Sequence, residues 1–91
     1  MQKLEKAFKA LANTKRLQII RFLLKNKGMS VGEIAEEIET SLKSTSKHLL
    51  TLYHAEFLEK DRVHGLTLYN LSGNLGDVER MAVNSIQKHK G

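Results

Sequence analysis

Two closely spaced helix-start signals constrain the fold of this 91-residue chain more than any other feature. Ser30 is followed three residues later by Glu33, which is the capping-box pattern at the start of a helix. Ser41 is the next residue of a type that caps a helix N-terminus. The helix between these signals is therefore short, and only Glu39–Thr40 is left for the turn. Two helices joined by such a short turn are typical of a helix-turn-helix.

Apolar residues repeat at helical spacing on both sides of this turn. In the short helix before the turn, Ile34, Ala35 and Ile38 are predicted to form the inner face. The helix after the turn is predicted to continue to about His54 or Ala55 and to turn one line of residues inward. That line consists of Leu42, Thr45, Leu49 and Leu52.

Two more helices are predicted before this unit, separated by Asn13-Thr14, both of which are good N-cap residues. The second of them should end near Asn26–Gly28, where Gly28 suits a left-handed backbone. The apolar stripe of the first helix consists of Leu4, Ala7, Phe8 and Leu11. The stripe of the second consists of Leu17, Ile20 and Leu24, widened by Ile19 and Leu23.

The spacing of apolar residues changes from helical to alternating in residues 58–63 and 66–71, on either side of His64-Gly65. Two short alternating runs around a glycine-containing turn predict a β-hairpin. A last helix follows, with a stripe formed by Leu75, Val78, Met81, Ala82 and Ile86. Residues 1–91 are thus expected to form one mainly α-helical domain with a small β-hairpin. The predicted fold is a winged helix-turn-helix with the element order α-α-α-α-β-β-α.

The charge of the chain is basic overall but unevenly distributed, with 15 Lys and Arg against 10 Asp and Glu. Residues 1–27 carry eight positive charges and one negative charge, whereas residues 28–39 carry four glutamates and no positive charge. A small basic domain often binds nucleic acid. A solvated, lysine-coated surface explains the same charge, and both interpretations stay open.

Composition also limits the chemistry and the location of the protein. The chain has no cysteine, so disulfides and thiolate metal sites are excluded. Its first residues have no apolar signal core, and no apolar run approaches the roughly 20 residues of a membrane span. We therefore expect a cytoplasmic protein. No nucleophile in a recognisable motif, glycine-rich phosphate loop or paired catalytic carboxylates are present, so we expect neither an enzyme nor a cofactor.

Three pieces of the sequence, in order, resemble the ArsR-like (arsenical-resistance-repressor) family of winged-helix regulators. The first piece is Ala10-Leu11-Ala12-Asn13 with Arg16-Leu17, which resembles the family's entry into its second helix. The second is Ile34-Ala35-Glu36, which resembles the first helix of the family's helix-turn-helix. The third is Ser41 with Ser46-Lys47-His48-Leu49 and Leu52, which resembles the recognition helix. The match covers roughly residues 4–71 and fits to the end of the chain.

This resemblance implies a homodimeric transcriptional repressor that binds by sequence to an inverted repeat in double-stranded DNA and leaves it when an inducer, often a metal ion, binds. The chain departs from the family at three turns. It has no proline near Thr14, and it has Glu39 and Glu56 where the family has glycine. These changes affect turns rather than the DNA-reading surface. The identity of an inducer is not predicted.

The resemblance and the residue types together give a set of candidate DNA contacts. Thr40 and Ser41 suit phosphate contacts at a helix N-terminus, and Lys43, Ser44 and Lys47 suit base edges. The full candidate set on this helix is Thr40, Ser41, Lys43, Ser44, Ser46, Lys47 and His48. In the hairpin the candidates for phosphate or minor-groove contacts are Lys60, Arg62 and His64.

Several of these candidates have an alternative interpretation. His48 either touches DNA or packs against the fold, and the hairpin is either a DNA-contacting wing or a solvated edge. In the second helix, Lys15 and Arg16 are further candidates for phosphate contacts, and Arg16 has the alternative of pairing with a glutamate. A winged-helix module that binds protein or RNA is the alternative function for the whole chain.

The first and last helices each carry an apolar stripe, and a small domain has limited room to bury both. We therefore predict a dimer interface; closure of the monomer core is the alternative. The predicted interface residues are Leu4, Phe8, Leu11, Leu75, Val78, Met81, Ala82 and Ile86. In the resembled family, the metal site on the last helix requires two spaced pairs of carboxylate or imidazole ligands. Asp77 and Glu79 are the residues considered for the first pair, but His89 is the only residue of a ligand type near the place of the second pair. A metal site is therefore not predicted.

Overall fold

The computed structural model describes residues 2–88, which form five helices and three strands. The helices are α1 (Gln2–Leu11), α2 (Thr14–Lys25), α3 (Val31–Ile38), α4 (Leu42–His54) and α5 (Asp77–Lys88). The strands are β1 (Met29–Ser30), β2 (Leu58–Val63) and β3 (Leu66–Leu71). The predicted order of helices and hairpin is confirmed, and the short strand β1 is an addition to it.

The helix starts depend on local hydrogen bonds that the sequence predicted. The Ser30 hydroxyl accepts from the Glu33 N–H at 3.2 Å, and the Glu33 carboxylate accepts from the Ser30 N–H at 2.9 Å. The Ser41 hydroxyl accepts from the Ser44 N–H at 3.1 Å. Asn13 caps α2, because its side chain accepts from the Arg16 N–H at 3.2 Å. Each bond satisfies a backbone donor that a helix N-terminus leaves without an internal partner.

The turn between α3 and α4 is made by a residue in the left-handed conformation. Glu39 has a φ of 54°, and its N–H donates to the carbonyls of Ala35 and Glu36. Glu56, just after α4, has a φ of 68°. These are the two positions at which the resembled family has glycine. The turns keep the left-handed geometry with glutamate in place, and a side chain makes that geometry costly.

The sheet is antiparallel with the strand order β1-β3-β2. The predicted hairpin is confirmed, and β2 and β3 pair from Leu58 with Leu71 to Val63 with Leu66. The two turn residues, His64 and Gly65, have φ values of 50° and 81°. Two central residues with positive φ give a turn whose twist matches that of the strands. The hairpin therefore extends from the helical body as a wing.

The core lies mainly between α2, α3, α4 and the base of the hairpin, and α1 and α5 each contribute buried residues at its edge. Ile34, Ala35 and Ile38 are buried as predicted, and so are Thr45, Leu49 and Leu52. Other buried members are Ile19, Ile20, Leu23, Phe57, Leu58 and Val83. Phe57 lies in the connection after α4 and was not singled out by any periodic pattern. Its N–H donates to the Leu52 carbonyl, and its own carbonyl accepts from the Ser72 N–H.

Two leucines that were predicted to point inward lie outside the core instead. Leu17 is at the edge of α2, where the buried face is centred on Ile19, Ile20 and Leu23. Leu42 is the first residue of α4, and its side chain is 58% exposed. Helical spacing placed Leu42 in line with Thr45, but at the end of the helix no neighbouring element covers it.

The last helix differs from its predicted stripe in a similar way. Val83 and Glu79 are buried, whereas Met81 is 69% exposed. Leu75, Val78, Ala82 and Ile86 are half-buried and pack against the core. Within residues 2–88, no helix is long and apolar enough to cross a membrane.

Candidate nucleic-acid interface

The outward surface of α4 brings together most of the residues predicted to contact DNA. Lys43, Ser46 and Lys47 are exposed, and Ser44 is half-buried beside them. Leu42 and Leu50 are exposed on the same helix and were not among the predicted contacts. The signal that would have indicated Leu42 is its position immediately after the N-cap. At that position a side chain extends from the end of the helix.

The N-terminus of α4 is also accessible, with Ser41 exposed and Thr40 half-buried. The Ser41 hydroxyl accepts a hydrogen bond from Ser44, and its own O–H remains able to donate. The first turn of a helix carries free backbone N–H groups and a partial positive charge. This end of α4 therefore has the chemistry of a phosphate-binding position.

His48 is half-buried on the side of α4 that faces α2. Its Nδ1 lies 3.3 Å from Nη1 of Arg16. A guanidinium has donors and no acceptor, so this contact requires the neutral ring with Nδ1 as acceptor. Burial lowers the pKa of His48 below 6.5, and the charges of Arg16 and Lys15 lower it further. Of the two alternatives for His48, the geometry favours a residue that holds α4 against the fold.

Arg16 and Lys15 connect the ends of three helices. Nε of Arg16 donates to the Ala10 carbonyl, and Nη2 donates to the Lys9 carbonyl at 3.1 Å, both at the end of α1. Nζ of Lys15 donates to the Ile38 carbonyl at the end of α3. The alternative that Arg16 pairs with a glutamate is therefore wrong. Carbonyls at helix C-termini carry partial negative charge and attract these cations.

The three residues predicted to contact DNA in the wing lie at different positions between the base of the hairpin and its turn. Lys60 lies near the base, with its ammonium 4.5 Å from the centroid of the Tyr53 ring on α4. Arg62 is one step further out on the same face of β2, and its Nη1 is 3.5 Å from the Thr67 hydroxyl. His64 is exposed at the turn. The wing is thus held against α4 at its base and extends Arg62 and His64 away from the core.

An acidic residue in the hairpin is directed away from this surface. The Glu59 carboxylate accepts from the Gly73 N–H at 3.1 Å. Alternation along β2 places Glu59 on the face opposite to Lys60 and Arg62. The Glu59 carboxylate therefore does not lie beside the ammonium of Lys60 or the guanidinium of Arg62.

The residues considered for a metal site do not form a cluster in residues 2–88, where no group of three or more candidate ligands occurs. Glu79 is only 1% exposed and lies beneath Gly76. Asp77 is exposed at the start of α5. His89, the third residue considered, lies outside the described residues.

Together, the short α3, the tight turn, the exposed surface of α4 and the hairpin beside it define a winged helix-turn-helix protein. The family model for the Helix-turn-helix domain matches residues 11–61, which is more than half of the chain. The chain belongs to this family, and its relatives identify it as an ArsR-like winged helix-turn-helix regulator. The family resemblance drawn from the sequence is confirmed.

One curated relative is the transcriptional activator HlyU of Vibrio cholerae, which is 38% identical over 64 residues. The aligned region covers 70% of this chain and 58% of the length of that relative. The structure of reduced HlyU from Vibrio cholerae has a TM-score of 0.79 and 31% identity, covering 96% of this chain and 87% of that one.

A second solved structure comes from Mycobacterium bovis and is described as a homodimeric winged helix-turn-helix DNA-binding domain. It has a TM-score of 0.81 and 29% identity, covering 94% of this chain and 76% of that one. It is also described as a possible ArsR-family transcriptional regulator. The fold predicted from the sequence is thus shared with a transcriptional activator and with a domain described as DNA-binding.

Proposed function

We propose that this chain is a dimeric transcriptional regulator that binds double-stranded DNA by sequence. The observation that carries the proposal is the outward surface of α4, where Lys43, Ser46 and Lys47 are exposed behind the free helix N-terminus at Ser41. Lysine donates to guanine and serine both donates and accepts, so these side chains suit the edges of bases in the major groove.

Affinity and sequence preference have different sources in this proposal. The surface of α4 carries only Lys43 and Lys47 as charges in its first turns, whereas residues 1–27 carry a net charge of +7. Contacts with phosphates provide most of the non-specific affinity for DNA, and base contacts provide the preference. We assign the preference to α4 and the electrostatic attraction to the basic N-terminal region, doubled in a dimer.

The dimer is supported by the apolar surface that α1 and α5 leave uncovered. Phe8 is 60% exposed and Met81 is 69% exposed. Leu4 lines a shallow groove beside Phe8. The related Mycobacterium bovis domain is homodimeric. A two-fold dimer of this kind places two copies of α4 on two half-sites about one helical turn of DNA apart, so the expected operator is an inverted repeat.

Selection from a random pool of duplexes tests the function. The full chain should enrich an inverted repeat, and Lys47→Ala should weaken binding to that repeat about tenfold, in line with the loss of one base contact. Lys88→Ala removes the same charge at the end of α5 and is the matched control, expected to bind as the wild type. Circular dichroism and thermal melting of both variants check that the fold is intact.

Two outcomes would contradict this assignment. Equal binding of Lys47→Ala and the wild type to the selected repeat would remove α4 from its proposed role. Failure to enrich any duplex, together with capture of an RNA or protein ligand, would favour the interaction-module alternative.

The direction of regulation is a separate part of the proposal. The sequence resemblance predicts repression, whereas the relative HlyU is named an activator. A bound dimer represses when its operator overlaps the promoter, so we propose repression for an overlapping operator. A reporter gene with the selected repeat placed over or upstream of the promoter measures this directly.

A further inference from the structure

The first residue of the proposed recognition helix is an exposed leucine that does not belong to the hydrophobic core. Leu42 follows the Ser41 N-cap, and its side chain is 58% exposed. Single exposed leucines are common on protein surfaces and need no explanation by themselves. This one, however, lies at the N-terminal end of α4, the end with which a recognition helix contacts base edges in the major groove.

We propose that Leu42 contacts the C5 methyl group of a thymine in each half-site and makes the protein select thymine there. This inference rests on the proposed function, because it needs α4 in the major groove. It adds a specificity residue that the predicted contacts did not contain. The contact it assigns is apolar, unlike those of the lysines and serines around it.

The position of Leu42 on α4 supports this contact. Ser46 lies one turn further along the same flank, and Lys43 and Lys47 occupy the neighbouring flank. In helix-turn-helix proteins the N-terminal residues of the recognition helix touch the base edges. The leucine therefore lies beside the polar candidates, where it is able to touch an adjacent base.

The chemistry of the groove limits what Leu42 is able to recognise. Leucine has no donor or acceptor, and the thymine methyl is the one apolar group that base pairs present in the major groove. A guanine or cytosine edge facing Leu42 would lose hydrogen bonds to water and gain none from the protein. Thymine alone offers the leucine a surface whose burial is favourable.

Leu50 on the same helix provides an internal comparison. It is 51% exposed, close to the exposure of Leu42, and lies eight residues further along α4. At 1.5 Å per residue, this separation is about 12 Å along the helix axis. We therefore assign the thymine contact to Leu42 alone and use Leu50 as the control position.

Replacing thymine by deoxyuridine tests the proposal, since it removes only the methyl group. Each thymine of the selected repeat is replaced in turn, and the affinities of the wild type, Leu42→Ala and Leu50→Ala are measured on every duplex. The wild type should lose about fourfold in affinity per half-site at one thymine position, the effect expected for one buried methyl. Leu42→Ala should bind the thymine and deoxyuridine duplexes equally at that position. Leu50→Ala should keep the wild-type loss.

The remaining outcomes separate this inference from the proposed function. A repeat that is selected and bound, but at which Leu42→Ala keeps the full deoxyuridine loss, overturns the inference and leaves the function standing. A selected repeat at which the wild type shows no deoxyuridine loss also overturns it. Enrichment of no duplex at all overturns the function, and this inference with it. Thermal melting of Leu42→Ala and Leu50→Ala checks that the substitutions in α4 leave the protein folded.

Discussion

At the scale of single residues, three cationic or titratable side chains connect α2 to α1, α3 and α4, the last of which is the proposed DNA-reading helix. Arg16 contacts the carbonyls at the end of α1 and the Nδ1 of His48 on α4, and Lys15 contacts the end of α3. His48 has to be neutral for its part of this arrangement. Its protonation state therefore links the stability of the fold to pH.

Acid should destabilise the protein through His48. The pKa of His48 is lowered below 6.5 by burial, by Arg16 and by Lys15, so the unfolded chain binds a proton more readily than the folded chain. The stability from neutral His48 is complete above about pH 6.5 and falls as the pH drops below that value. His48→Asn keeps an acceptor and removes the titration. Its free energy of unfolding should fall less between about pH 7.5 and about pH 5.5 than that of the wild type.

Denaturant unfolding at the two pH values provides the measurement, and His64→Asn is the matched control. His64 is exposed on the wing and does not contact Arg16, Lys15 or His48, so its variant should keep the acid sensitivity of the wild type. If His48→Asn lost as much stability on acidification as the wild type, the proposal that neutral His48 stabilises the fold by contacting Arg16 would be wrong.

At the scale of elements, two turns of the fold use a glutamate in the left-handed conformation. Glu39 ends α3 with a φ of 54°, and Glu56 follows α4 with a φ of 68°. Glycine adopts this conformation without the steric cost of a side chain. The chain therefore keeps the turn geometry of its family at the cost of some backbone strain at both ends of α4.

Relieving this strain should stabilise the protein. Glu39→Gly is expected to raise the free energy of unfolding by about 0.5–1 kcal/mol, because relief of the left-handed strain outweighs the extra freedom of glycine in the unfolded chain. Denaturant titration monitored by circular dichroism measures the change.

Glu36→Gly makes the same substitution one turn earlier, at an exposed position inside α3. There it should cost about 1 kcal/mol, because the backbone of Glu36 is helical and glycine weakens a helix interior. A loss of stability in both variants would show that the conformation of Glu39 is not a source of strain.

At the scale of the whole molecule, the stripes of α1 and α5 are divided between the core and the surface. Leu11, Leu75, Val78, Ala82 and Ile86 pack against the core, in partial agreement with closure of the monomer. Phe8 and Met81 remain exposed, and Leu4 is half-buried outside the core cluster. The dimer interface stays a prediction, and these three residues are its most accessible members.

A charge in this uncovered surface should separate the dimer. Phe8→Glu and Met81→Glu each place a carboxylate where the interface would bury it without a partner, a strongly unfavourable change. Analytical ultracentrifugation should show a dimer for the wild type. For each variant, the dissociation constant of the dimer should rise at least tenfold, so that more of the protein is monomeric. Leu50→Glu changes an apolar position on α4 that is also more than half exposed, and it should leave the dimer intact. A wild-type monomer, or variants that sediment as the wild type does, would contradict the predicted interface.

The sequence by itself determined the features that depend on neighbours along the chain. A capping box joins residues three apart, and a helical stripe or an alternating strand repeats within a few residues. For this reason Ser30, Ser41, the inner face of α3 and the hairpin were predicted correctly. The outward lysines and serines of α4 followed from the same periodicity.

Only the tertiary structure decided what depends on neighbours in space. Strand β1 is two residues long and exists because β3 pairs with it, and Phe57 is buried because the core closes over a connection without periodicity. The contact of Arg16 with His48 joins residues 32 positions apart. Leu42 lies outward although its spacing matches the buried line, because burial needs a covering element and none reaches the start of α4.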